Sequence, residues 1–190
     1  MMEEQKKDGQ EFKGRQEGFS EKGGGIVLGW NYTFVDDSQN IIVAGIEADG
    51  ETTFAKTKNG LGYLRNTQFY HETQSNNEQK IKSKNTGAEV LLETAKDNPQ
   101  CLSRYSPYWV WYEEIGKGPK GWSLKVARYN KAAIETEGEK TGFQHFIGTA
   151  GEANEGIYDL EQRHYNPERY NCLSFSSRKF EDPTLEITVS

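Results

Sequence analysis

YSPYWVWY, residues 105–112, is the stretch that decides the fold. Alternation along a strand would place Trp109 and Trp111 on one face and the intervening valine and tyrosines on the other. Because both faces are then apolar, the pattern predicts a central strand that is buried on both sides.

The composition around this stretch favours many short strands. Hydrophobic residues make up 34% of the 190 residues, while the chain has 20 glycines and 12% aromatic residues. Glycine turns between short strands account for these values better than packed helices do. A period-two reading gives roughly ten or eleven strands, so we expect an all-β fold. The later strands include one that begins at Trp122, then Phe143–Thr149 and Ile157–Gln162. The length of the chain fits one large domain or two small ones.

Residues 1–24 carry many charges and few large apolar groups, and we expect a flexible charged tail there. Residues 25–190 form the predicted β-rich folded region. Ile26–Phe34 alternates clearly, and Ile41–Glu47 with Thr52–Thr57 predicts a hairpin that turns at Asp49-Gly50. The chain then continues as a meander of antiparallel strands.

Charge and hydropathy restrict the partners. The 23 basic residues are scattered against 29 acidic ones, giving a net charge of −6, which argues against nucleic acid as a partner. The apolar runs are far shorter than the roughly 20 residues that span a bilayer, so no membrane span is expected. The first residues, MMEEQKKD, lack the apolar core of a signal peptide.

The second half of the chain resembles a variable-type immunoglobulin-like domain, mainly over residues 85–190. Three stretches carry the resemblance: the strand ending in Trp111-Tyr112 with its following glycine turn, the segment from Ile157 to the Tyr170-Asn171-Cys172 triplet, and the closing strand Leu185–Val189. The resemblance implies an antiparallel β-sandwich with two adjacent strands after Arg169.

The same resemblance implies a disulfide between Cys101 and Cys172 and a non-enzymatic recognition module whose partner is another protein. The cysteine count by itself leaves open one disulfide or two buried thiols. The location of the protein is therefore left open, and would be extracellular if the disulfide forms.

A closed lipocalin-like barrel of about eight to ten strands is the alternative. In that fold Trp30, Trp109 and Trp111 would face a cavity that binds a small apolar or aromatic ligand. Under either hypothesis the aromatic cluster supplies the candidate binding residues, which are Tyr105, Tyr108, Trp109 and Trp122.

No stretch carries a motif strong enough to name a reaction, so no catalytic residue, metal or cofactor is predicted. The three histidines are not in metal-ligand spacing. Glu113 and Glu114 follow the aromatic strand, but neighbours on a strand point to opposite faces and do not form an acid–base pair. Gly116–Gly121 lacks the ending of a phosphate loop and is interpreted as a turn.

Overall fold

Eight strands form one mostly parallel sheet in the computed structural model of the chain, which describes residues 6–13, 18–95, 98–149 and 156–176. A separate hairpin supplies two more strands. The bounds are β1 Asp8–Lys13, β2 Gln39–Ala44, β3 Thr73–Asn76, β4 Lys80–Ser83, β5 Glu89–Thr94, β6 Trp109–Glu113, β7 Glu135–Thr136, β8 Glu139–Lys140, β9 Phe143–Thr149 and β10 Cys172–Ser176.

The strand order is β10-β1-β9-β6-β2-β5-β4-β3. All neighbours from β10 to β5 run parallel, whereas β4 is antiparallel to both β5 and β3. Parallel strands need long crossover connections, which are usually helical. Five α-helices are described: α1 Phe19–Glu21, α2 Gly29–Phe34, α3 Glu47–Gly62, α4 Trp122–Tyr129 and α5 Ile157–Tyr165. A π-helical segment, Lys22–Leu28, joins α1 to α2.

The helices cover both faces of the sheet. Leu28, Tyr32 and Phe54 pack with Trp111 on one face, so the segments from α1 to α3 lie there. Val126 and Leu160, from α4 and α5, pack on the opposite face. All five residues of β6 are buried between these layers. The prediction of a central strand buried on both sides is therefore confirmed.

The all-β prediction is wrong, in both its sandwich and its lipocalin-like barrel forms. The period-two stretch Ile26–Phe34 forms the π-helical segment and α2. Leu28 and Tyr32, four residues apart, are buried there, while Ile26 and Trp30 are 66% and 61% exposed. The exposed apolar residues Ile26 and Trp30 give the sequence its alternating pattern, although the helical structure buries only Leu28 and Tyr32 of these four.

Three other predicted strands are also helices. The hairpin turn Asp49-Gly50 and its partner Thr52–Thr57 lie inside α3. Trp122 opens α4, and the segment beginning at Ile157 forms α5. β10, which contains the first strand of the predicted antiparallel pair after Arg169, runs parallel to β1, and its pairing with the closing strand stays a prediction. The closing strand, residues 184–189, lies outside the described residues.

The two cysteines are buried free thiols, so the predicted disulfide is wrong. The Cys101 sulfur lies 3.9 Å from the side-chain amide nitrogen of Asn130, whereas the Cys172 sulfur contacts the Arg163 carbonyl oxygen at 3.7 Å. Each thiol thus packs in its own surroundings. Within the described ranges, no helix is both long and apolar enough to cross a membrane.

β1 lies inside the segment that we expected to be a flexible tail. It pairs with β9 on one side and with β10 on the other, from Asp8 onwards. The folded sheet therefore includes residues on both sides of the boundary predicted at residue 25.

Candidate functional site

The carboxyl ends of β1, β9 and β6 meet at one edge of the sheet. Ligands of open parallel sheets bind at this end of the strands. β1 is followed by residues 14–17, which lie outside the described residues, and then by Gly18 and α1. Gly18 has a φ of +73°, a conformation that glycine adopts readily because it has no Cβ.

Glu113, the last residue of β6, is a buried carboxylate that accepts hydrogen bonds from Ser20, Thr53 and Trp111. The hydroxyl of Ser20 donates to Oε1 at 2.9 Å. Oε2 accepts hydrogen bonds from the Thr53 hydroxyl and from the indole nitrogen of Trp111, both at 2.8 Å. With 2% of its surface exposed, Glu113 is fixed in one orientation towards the start of the helix that follows β1.

Glu114 is the second acidic residue at this edge. Its backbone is left-handed, with φ 49° and ψ 42°, which is uncommon for a residue other than glycine. The chain therefore bends directly after Glu113. The rule that neighbouring strand residues point to opposite faces does not apply to Glu113 and Glu114, because the strand ends at Glu113. Glu114 Oε2 accepts a hydrogen bond from the Thr149 hydroxyl, at the end of β9, at 2.9 Å.

The backbone after β6 passes very close to the end of β9. A Cβ on Gly116 would lie 2.2 Å from the carbonyl oxygen of Thr149, and one on Gly148 would lie 2.8 Å from the Gly116 nitrogen. Only glycine fits this approach. The two glycines thus allow the end of β9 to support the turn that carries Glu114.

A second buried carboxylate lies beneath the same edge. Glu11 of β1 pairs with Lys22, the first residue of the π-helical segment, and its Oε1 lies 3.4 Å from His145 Nε2. Burial raises the pKa of Glu11, but hydrogen bonds and charge from His145 and Lys22 outweigh it and lower the pKa overall. The pairing ties the helical segment to β1.

The sequence around Gly18 matches two of the four fixed positions of a phosphate-binding loop. Residues 13–20 read KGRQEGFS and lie between a strand and a helix, the context that the pattern G-x-x-x-x-G-K-[ST] requires. Gly18 and Ser20 match the second glycine and the hydroxyl residue. Phe19 stands where the pattern has lysine, and Lys13 where it has the first glycine.

A second stretch matches three of the four fixed positions, with Glu51 in place of the lysine, but does not form a loop. Residues 45–52, GIEADGET, follow β2, yet α3 already begins at Glu47. The Thr52 hydroxyl donates to the carbonyl of Ala48 in the same helix. A Cβ on Gly50 would lie 2.5 Å from Leu92, so this glycine serves packing. The candidate site is therefore the one at Gly18 and Ser20.

Sequence reasoning missed this site because residues 1–24 were interpreted as a tail. The signal was the Gly-x-Ser triplet at residues 18–20, together with two acidic residues after an apolar strand. The segment that we compared with a phosphate loop, Gly116–Gly121, contains part of a 3-10 turn and leads into α4. Its interpretation as a turn holds.

The four aromatic residues predicted to bind a partner lie elsewhere, and the sheet divides them. Tyr108 and Trp109 pack with the cluster on the α3 side, where Trp109 lies 5.7 Å from the ring of Phe143. Tyr105 and Trp122 pack against the opposite cluster. The structure brings these residues together only in pairs. Of the four, Trp122 lies at the carboxyl end of the sheet, where its indole nitrogen donates to the carbonyl oxygen of Ala95, just after β5, at 3.4 Å.

Comparison with known proteins agrees with the fold described. No protein-family model and no curated protein matches the sequence. Among solved structures, a mutant ATPase domain of the Thermus phage P74-26 large terminase has a TM-score of 0.60 at 18% identity, covering 81% of this chain and 64% of its own. The HK97 bacteriophage large terminase has a TM-score of 0.68 at 13% identity, with coverages of 93% and 36%.

A third solved structure is a large terminase from a thermophilic bacteriophage in complex with ATP-gamma-S. Its TM-score is 0.64 at 10% identity, and the match covers 97% of this chain and 43% of that one. This chain thus spans less than two thirds of each of these three structures. The likeness shows the fold, and it replaces the immunoglobulin-like resemblance, which was wrong.

Proposed function

We propose that this chain is the nucleotide-binding part of an ATPase. The observation that carries the proposal is the hydrogen bond from Ser20 to Glu113. It joins Ser20, two positions after Gly18, to the acidic end of a buried strand. In P-loop NTPases a loop serine or threonine and an acidic residue at a strand end hold the Mg²⁺ of the bound nucleotide. The structural neighbours, two of which are named for an ATPase domain or a bound ATP analogue, support the same function.

The residues at the edge fit a magnesium ion. Mg²⁺ takes oxygen ligands and is commonly bound by one or two carboxylates together with substrate phosphates. Ser20 Oγ and Glu113 Oε1, 2.9 Å apart, are oxygen atoms close enough to ligate one ion. The ion would neutralise charge on the phosphates, while Thr53 and Trp111 keep the carboxylate of Glu113 in place.

Glu114 is the residue suited to activate water. Its carboxylate is oriented by Thr149 and lies next in sequence to the proposed magnesium ligand. In the proposed reaction, the oxygen of a water molecule bonds to the γ-phosphorus and the bond from that phosphorus to the bridging oxygen of ADP breaks. Glu114 accepts the proton that the water loses. The left-handed backbone of Glu114 directs this side chain away from the regular strand alternation.

Phe19 favours a second candidate, a nucleotide-binding domain that hydrolyses ATP slowly or not at all. The lysine that the loop pattern has at this position normally contacts the β- and γ-phosphates. Lys22, one turn further on, is paired with Glu11. ATP hydrolysis by this chain therefore requires that a basic residue at another position contact the β- and γ-phosphates in place of the lysine of the loop pattern.

The test measures nucleotide binding and phosphate release separately, with the full chain and Mg²⁺. The wild type is expected to bind a fluorescent ATP analogue and release phosphate. Glu114→Gln should still bind but lose at least about 100-fold in rate, the usual contribution of a general base. Ser20→Ala should weaken the magnesium dependence of binding. Glu72→Gln is the control, since this exposed residue pairs with Lys84 away from the edge.

The outcomes separate the two candidates. Binding without phosphate release by the wild type supports the slow or inactive form. A wild type that binds no ATP contradicts both. Full hydrolysis by Glu114→Gln would refute the role of that residue.

A further inference from the structure

A cavity of about 520 Å³ lies at the opposite end of the sheet from Ser20 and Glu113. Asp8 and Cys172, the first residues of β1 and β10, and Gln144 near the start of β9 form its floor. Further lining residues come from α4, the segment between Lys131 and Lys140, α5 and the turn at Arg169. A volume of this size lies within the range of roughly 300–1,000 Å³ that is usual for small-molecule sites.

Basic side chains dominate the polar lining of this cavity. Five of them, against two carboxylates, give an excess of three positive charges in a chain whose net charge is −6. The basic residues are Arg128, Lys131, Lys140, Arg163 and Arg169. They are scattered along the sequence, and the fold gathers them. The scattered positions of the basic residues in the sequence therefore do not argue against an anionic partner.

Among the described residues, only the two lysines of this set have carboxylate partners. Lys140 pairs with Asp8 at 2.5 Å, and Lys131 pairs with Glu135 at 3.3 Å. For Arg128 and Arg169, both exposed, no ion pair is found in the described part of the chain. The Arg169 guanidinium lies over the ring of Tyr170, 5.7 Å from its centre.

Arg163 is the buried cation of the cavity, 3% exposed. Its guanidinium donates to the hydroxyl and carbonyl oxygens of Ser123, at 3.2 and 3.4 Å, and lies 3.8 Å from the centre of the Phe146 ring. Asp159 is nearby, but its carboxylate accepts hydrogen bonds from the first turn of α4. Burial lowers the pKa of Arg163, partly offset by the charge of Asp159. Because no carboxylate of the described residues pairs directly with this buried guanidinium, a bound anion would stabilise it.

The remaining lining is apolar. Leu124, Ala127, Ile134 and Phe146 form one wall, and the ring of Tyr170 lies at the rim beside Arg169. A concave site with an apolar wall and converging guanidinium groups suits a small molecule with a phosphate group and an apolar or aromatic body. We propose that this cavity binds such an organic phosphate. The inference stands apart from the ATPase proposal, because the two sites lie at opposite ends of the strands.

Phenyl phosphate is a suitable probe, with inorganic phosphate testing the anion alone and phenol the ring alone. Isothermal titration with the full chain should show phenyl phosphate binding more tightly than either fragment. The Arg128→Ala/Arg169→Ala double variant should lose at least about tenfold in affinity, because charge-assisted hydrogen bonds are removed. Both residues are exposed, so the fold should be retained.

Arg104→Ala is the matched control, since this exposed arginine also lies over a neighbouring tyrosine, 4.9 Å from the ring centre of Tyr105. It should bind the probe as the wild type does. Ser20→Ala should also bind normally, which separates this cavity from the proposed ATP site. The inference is overturned if phenyl phosphate does not bind, if the double variant binds equally well, or if Ser20→Ala abolishes binding. Binding of a single-stranded oligonucleotide in place of phenyl phosphate would also overturn it.

Discussion

Replacing Gly23 by alanine should severely destabilise the fold, because this glycine touches the central strand. A Cβ at this position would lie 2.0 Å from Cζ2 and 2.3 Å from Cε2 of Trp111. Ordinary carbon–carbon contacts are about 3.5–4.0 Å, so the ring or the helical segment must move by roughly 1.5 Å. Trp111 is fully buried and its ring stacks on His145 at 4.6 Å, which leaves the ring no space on that side.

The expected loss follows from these contacts. Overpacking a core typically costs about 1–3 kcal/mol, occasionally more, and a site without room to relax belongs at the upper end. Alanine also gains roughly 0.5–1 kcal/mol over glycine in a helix. A net loss of about 2–3 kcal/mol lowers the melting temperature of a chain of this size by about 4–12 °C. Since Trp111 also donates to Glu113, nucleotide affinity should fall with stability.

Gly25→Ala is the matched control in the same glycine run. A Cβ on Gly25 meets nothing within 4 Å. This variant should therefore be as stable as the wild type or gain roughly 0.5–1 kcal/mol. Urea unfolding followed by tryptophan fluorescence measures both variants. Equal unfolding free energies for Gly23→Ala and Gly25→Ala would show that the helical segment does not pack on Trp111 as described.

Four further predictions concern buried polar groups. Burial raises the pKa of the Cys101 and Cys172 thiols to about 11. Iodoacetamide should therefore label both thiols more slowly in the native chain than in denaturant. Because these folded pKa values exceed the ordinary 9.0, stability should fall as pH rises from about 9 to 11, by on the order of 2 kcal/mol per thiol in denaturant titrations. The lowered pKa of Glu11 contributes stability above its ordinary 4.5 that is lost as the pH falls below it, and Glu11→Gln should flatten this acid limb of the unfolding curve. Asp159→Ala should cost about 2–4 kcal/mol in urea unfolding, because three backbone amides at the start of α4 lose their acceptor, whereas a loss below about 0.5 kcal/mol would contradict this capping role.

The strands that sequence reasoning placed correctly are those of the parallel core. β6 is buried throughout, and five of the six residues of β2 are also buried. Strands covered on both faces have nearly continuous apolar runs, which remain visible in a single sequence. The prediction of Phe143–Thr149 as a strand is confirmed for the same reason, as β9 is buried from Phe143 to Gly148.

The helices were missed because their local patterns imitate strands and turns. α3 contains Asp49-Gly50, a strong hairpin signal, yet Gly50 lies inside the helix because its missing Cβ leaves room for Leu92. Thr53 and Thr57 have low helix propensity, but both are buried. Tertiary packing decides the structure at these positions, and the antiparallel interpretation followed from taking each helix as a strand.

The candidate site was not visible locally, because it exists only through topology. Ser20 and Glu113 are 93 residues apart, and they meet because β9 alone lies between β1 and β6 in the sheet. With phenylalanine at the lysine position, the local signal shrinks to a Gly-x-Ser triplet, which is common by chance. Once β1 is known to be a parallel strand, the triplet must lie at the carboxyl edge, where Glu113 and Glu114 end their own strand. The order of the strands therefore gives the triplet its meaning, and a substitution that displaces β1 should abolish the site even though it leaves Ser20 and Glu113 unchanged.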